Sequence, residues 1–144
     1  MNPITKLFRC NAQPPNGVML EIQSGFTAFS GTAYGSAAFR AAVDAIARHA
    51  AKLKAHAGSA TVDKLLTESP NAYMTAYDLL YKTATAYFTA NNAFILIERG
   101  GGAVRAFYPL TPSSVEFIGA QDGALYVKMI FSDGKQVLLP YGDI

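Results

Sequence analysis

The order of apolar and polar positions divides the chain into a helical part and a strand part. From Ser36 to Gly58 the residues Phe39, Val43, Ile46, Ala50 and Leu53 recur at steps of four and three, so a helix places them on one face. Arg40, Asp44, Arg48 and Lys52 follow at every fourth position on another face, with Asp44 in ion-pair range of Arg40 and Arg48. Ser36 stands where an N-cap belongs and Gly58 where a helix stops. The many alanines favour helix and let a neighbour pack closely. A short second helix is expected over Thr61–Leu66, capped by Thr61 and ended by Pro70. Asn71 then caps a third helix running to about Ala90, with Tyr73, Tyr77, Leu80, Tyr81, Ala84, Tyr87 and Phe88 on its face. Asn91 or Asn92 closes it in the left-handed conformation.

Beyond Asn92 the pattern changes to short apolar runs separated by turn residues. Ala93–Ile97 is continuously apolar, as in a strand covered on both faces. Gly100-Gly101-Gly102 predicts a hairpin turn into Val104–Tyr108, and Pro109 and Pro112 mark an exit or an edge. Val115–Ile118, Leu125–Phe131 and Gln136–Leu139 follow, separated by Asp122-Gly123 and Asp133-Gly134. Two main helices plus a short one, then an antiparallel sheet of about five strands, predict the α+β class. Residues 1–35 stand apart as an N-terminal arm. Pro3, Pro14, Pro15, Gly17, Gly25, Gly31 and Gly35 interrupt any long pattern, and Val18–Ile22 offers one short strand. The arm reads either as a segment whose partner surface lies on another subunit or as a frayed terminus or expression remnant. The predicted organisation is thus an arm over 1–35 and one α+β domain over 36–144. The abrupt end at Tyr141-Gly142-Asp143-Ile144, with no polar tail, is expected of a chain that continues.

Composition narrows the class without naming a chemistry. A length of 144 residues, 51% of them hydrophobic, fits one folded domain with a real core. No apolar run reaches the ~18 residues of a spanning helix, and the N-terminus lacks a signal-peptide core, so a soluble cytosolic protein is expected. Net charge is +2, short of the basic excess of a dedicated nucleic-acid binder; the nearest basic face is Arg40, Arg48, Lys52 and Lys54, diluted by Asp44. Cys10, the only cysteine, cannot form an internal disulfide.

Reactive groups do not converge in the sequence. His49 and His56 lie seven apart on one helix, too far to share a metal without a third element, and no Cys or carboxylate is spaced to help. Gly134-Lys135 sits in a turn rather than between a strand and a helix, so it is no P-loop, and Gly100–Gly102 lies between strands, so it is no dinucleotide fingerprint. No Gly-x-Ser-x-Gly elbow occurs, and the ten carboxylates are scattered. Tyr73, Tyr77 and Tyr81 could stack on single-stranded bases or form a half-buried helix face; Leu80, Ala84 and Phe88 continue the stripe and favour the second reading. No catalytic, cofactor-binding or metal-ligating residue is assigned, and a non-enzymatic role without cofactors is expected.

One series of short motifs is specific by its order. Leu65-Leu66-Thr67-Glu68-Ser69-Pro70-Asn71 follows the helix Ala41–Ala47, and Met74-Thr75 comes next. A helix of mixed aromatics then ends in Asn91-Asn92-Ala93-Phe94; Tyr108-Pro109-Leu110 with Pro112 and Val115 follows, and last Leu138-Leu139-Pro140 with Asp143-Ile144. From about Phe39 to Ile144 this order resembles the portal proteins of lambdoid, long-tailed bacteriophages. The resemblance implies a structural subunit of a dodecameric ring at one vertex of the phage head. DNA would enter through it during packaging, driven by a separate terminase ATPase, and leave through it on ejection. The implied partners are further copies of itself, capsid and scaffold proteins, terminase and the head–tail connector, with viral DNA in the channel and no membrane. The implied location is the virion, and the host bacterial cytoplasm during assembly. Family members are several times longer, with the channel-lining segments beyond the matched part. The resemblance therefore places this sequence in the outer, wing-like region of a longer, prophage-type product and assigns no DNA-contacting residue. The alternatives are a free-standing α+β domain enclosing a small ligand between Tyr77, Tyr81 and the Phe94–Ile97 strand, or a nucleic-acid binder using the Arg40–Lys54 face.

Overall fold

The computed structural model describes residues 20–27, 35–120 and 122–144. Strand β1 spans Leu20–Thr27. Helices α1 (Ala37–Ala50), α2 (Ala60–Thr67) and α3 (Ala76–Ala90) follow. Then come β2 (Phe94–Gly100), β3 (Ala103–Leu110), β4 (Ser114–Gly119), β5 (Leu125–Ile130) and β6 (Gln136–Pro140), with a final 3-10 turn at Tyr141–Asp143. The α+β class and the order of helices before five strands are as the pattern predicts. The five strands, however, divide between two antiparallel sheets: among the described residues β2 pairs only with β3, while the other sheet runs β1-β4-β5-β6. The chain forms two compact units, one within 29–111 and the other built on β1 and 112–144. The strand of the N-terminal segment therefore finds its partner within this chain, as β1 pairs with β4.

In the helical unit, α1 and α3 pack together. Val43, Ala47 and Ala51 are buried at the α1 side of the seam, and Leu79 of α3 is 2% exposed. Ser36 does precede α1 in extended conformation, but its side chain makes no capping bond. The helix stops at Ala50 rather than near Gly58. Lys52 N–H donates to His49 O and Leu53 N–H to Ala50 O, three-residue-back bonds that tighten the last turn. Leu53 is thereby 69% exposed and does not extend the apolar face. The cap of α2 is Ser59, not Thr61.

The start of α3 also differs from the sequence pattern, for a chemical reason. Thr75 caps it: Asp78 N–H donates to Thr75 Oγ1, and Thr75 N–H donates back to Asp78 Oδ2 at 3.0 Å. This reciprocal Thr-x-x-Asp arrangement satisfies two backbone donors, and a lone Asn71 cannot compete with it. Asn71 is instead buried, 7% exposed, in the turn before the helix. At the far end Asn91 adopts φ 57°, the left-handed stop expected of an Asn.

Asn71 and Pro70 have a different task, at the edge of β3. Phe107 N–H donates to Pro70 O at 2.9 Å, and Asn71 Nδ2 donates to Phe107 O at 2.7 Å. Both main-chain groups of Phe107 thus point away from β2, which makes Ile97–Phe107 a pair without mutual ladder bonds. Such pairs alternate, so Ile95–Pro109 is another, and the missing N–H of Pro109 costs the ladder nothing. The hairpin is closed by Gly101 (φ 63°) and Gly102 (φ 80°), a two-residue turn of the twist-matched type. Of the Phe94–Ile97 run only Leu96 is buried; among the described residues the expected two-sided cover is absent, because no third described strand flanks β2.

In the second unit one face of the sheet carries Val115, Val127, Met129, Val137 and Leu139, all buried. On the other, Glu116 and Lys128 stand directly opposite in register and pair at 3.0 Å. The β4–β5 and β5–β6 connections turn at Gly123 (φ 82°) and Gly134 (φ 80°). Each is fixed by the preceding Asp: Ala124 N–H donates to Asp122 Oδ1 and Lys135 N–H to Asp133 Oδ1.

Candidate interaction surfaces

The residues singled out by sequence are mostly surface residues, and the fold does not gather them. His49 and His56 are exposed, and His56 Nδ1 lies 3.7 Å from Asp63 Oδ1. Among the described residues no group of His, Cys, Asp and Glu is placed to hold a metal ion. The basic face is broken where α1 ends: Lys52 and Lys54 lie beyond the helix, and Arg48 is neutralised by Asp44 at 2.8 Å.

The tyrosine column separates into different environments. Tyr73 precedes α3 and is 60% exposed. Tyr77 is exposed and stacks on Tyr81, with ring centroids 6.3 Å apart and planes at 10°. Tyr81 is half-buried, and its hydroxyl donates to Asp44 Oδ1 at 2.7 Å, tying α3 to α1. That bond, more than the nearby Arg48, holds the Asp44 carboxyl below the usual range, because both stabilise the anion. The sequence contained the two residues but no sign of their pairing, since they lie on separate helices. Tyr87 and Phe88 add a second exposed aromatic pair at 5.5 Å near the end of α3.

A cavity of about 660 Å³ opens between α2 and the β2–β3 turn. Lys64 and Glu68 of α2 and Gly100, Val104 and Arg105 of the hairpin are among its lining residues. Arg105 is the extra residue of a bulge, because Arg99 pairs with Val104 and Glu98 with Ala106. Its side chain lies where a Cβ on residue 100 would stand, so glycine at that position leaves it room. None of Tyr77, Tyr81 and Phe94–Ile97, the residues expected to enclose a ligand, lines this cavity. On the hairpin, Tyr108 donates to Glu98 Oε2 at 3.2 Å; burial first, and the Glu98 charge second, raise the tyrosine's pKa.

These features describe an α+β fold with exposed aromatic side chains on α3 and a cavity beside the β2–β3 turn. The family model described as phage portal protein matches residues 37–144, which takes in all three helices and every strand except β1. The chain belongs to the phage portal protein family, a family of structural virion components tied to DNA packaging. No curated protein matches the chain. No described helix is long and apolar enough to cross a membrane.

Proposed function

We propose that the protein is a subunit of a portal ring at a capsid vertex, the conduit for DNA packaging and ejection and the attachment point for the tail. The family match over residues 37–144 carries this reading. Residues 36–144 then form the wing-like outer region, with residues 1–35 as an arm. Capsid and scaffold proteins, terminase and the head–tail connector are the partners, viral DNA passes through the assembled channel, and assembly takes place in the host cytoplasm. The chain has no catalytic role and needs no cofactor in this reading, because the motor is a separate ATPase. Electron microscopy of the full protein tests it. Closed rings with a central channel are the expected result, and uniformly monomeric particles would refute it.

A further inference from the structure

The two sheets differ in how their edges are finished. On β3 the outer groups of Phe107 are taken by Pro70 and Asn71, and Pro109 has no N–H to offer. On β2 the same alternation aims the N–H and C=O of Ile95 and Ile97 away from β3. Neither residue has a hydrogen-bond partner on that side among the described residues. Edge strands are usually defended by lysine, proline or brevity. Phe94–Ile97 has no lysine or proline, and its strand is 7 residues long.

The outer edge of β6 offers a match. Phe131 N–H bonds Lys135 O across the β5–β6 turn, so by alternation Val137 and Leu139 bond to β5. The main-chain groups of Gln136, Leu138 and Pro140 then face away from β5, and among the described residues no strand lies beyond β6. We propose that β2 of one subunit pairs antiparallel with β6 of a neighbouring copy, Ile97 opposite Gln136 and Ile95 opposite Leu138.

Three features select this register. It brings outward-facing residues opposite outward-facing residues on both strands. It sets Leu96 beside Val137, both buried in their own sheets, so the apolar faces run on across the joint. It places Glu98 directly opposite Lys135, a favourable cross-strand charge pair. Pro140 falls opposite Ala93, outside β2, where no N–H is required. The joint uses two different edges, one from each copy, and such a heterologous contact propagates around a closed ring. The choice of a second copy as occupant rests on the portal reading above.

Cross-linking tests it in the full protein. Residues 98 and 135 would form a non-hydrogen-bonded pair with Cα atoms ~4.5 Å apart, within disulfide range. In a Cys10→Ser background, Glu98→Cys with Lys135→Cys should give a reducible ladder of covalent multimers on mild oxidation. The register-shifted pair Glu98→Cys with Gln136→Cys should not. Ile97→Pro removes an N–H that makes no bond among the described residues, so the variant should keep its circular dichroism and lose assembly. Wild-type rings without the ladder would overturn the strand pairing and leave the portal reading intact. A ladder without rings would keep the pairing and refute the ring. Absence of both would overturn both, and equal ladders from the two cysteine pairs would overturn the register.

Discussion

Single residues hold the helical unit together through bonds that no local pattern announces. Asn71 donates to the Phe107 carbonyl and accepts from Tyr73 N–H at 2.8 Å, all from a buried position. Asn71→Ala strands a backbone donor and an acceptor, and the expected loss is about 2–3 kcal/mol in urea unfolding. Thr85 presents the opposite case: its Oγ1 is buried without a partner among the described residues. Thr85→Val keeps the shape and removes the stranded hydroxyl, so unfolding free energy should rise by about 1 kcal/mol. Tyr81→Phe removes the main cause of the depressed Asp44 pKa, and a carboxyl NMR titration should show Asp44 moving up toward its ordinary value.

At the scale of elements, caps and turns decide where helices and strands begin. Thr75→Ala breaks the reciprocal cap of α3 and should cost about 1 kcal/mol, read as a lower urea midpoint with unchanged slope. The caps also shape the acid response. Asp78 is held below the usual range by Thr75 and Asp133 by Lys135, as Asp44 is by Tyr81. A depressed carboxylate stabilises the fold above its unfolded pKa and ceases to do so as pH falls through its folded one. Stability should therefore fall from about pH 5 downward, and thermal unfolding across that window should show a smaller acid loss in Tyr81→Phe. The turns were legible: Asn91, Gly101-Gly102, Gly123 and Gly134 all take the positive φ that their residue types favour. The helix starts were less so, because several Ser, Thr and Asn residues compete within a few positions; reciprocal bonding selects Thr75, while Ser59 precedes α2 without a side-chain capping bond.

For the whole molecule, the unfinished edge of β2 is the most consequential feature. Its apolar run was legible as a strand, but no described strand pairs with it on the side away from β3, and a pattern of two-sided burial met a half-covered strand. Tyr73, Tyr77, Tyr87 and Phe88 add exposed aromatic surface to the same helical unit. Removing a core side chain should act differently from opening an edge. Met129 is fully buried, so Met129→Ala should cost about 2–5 kcal/mol and lower the thermal midpoint before any effect on assembly is read.

Periodicity and turn chemistry by themselves determined the class, the three helices, the five later strands and the hairpins, since those follow from spacing and from which residues tolerate a given φ. The order of weak motifs pointed to the portal family. Tertiary structure alone decided that the strands split into two sheets, that β1 joins the second of them, and that Asn71 closes one edge of the hairpin while the other meets no described strand. Those outcomes depend on contacts between residues far apart in the chain, such as Asn71 with Phe107 or β1 with β4, and no local pattern encodes which distant partner a strand edge will find.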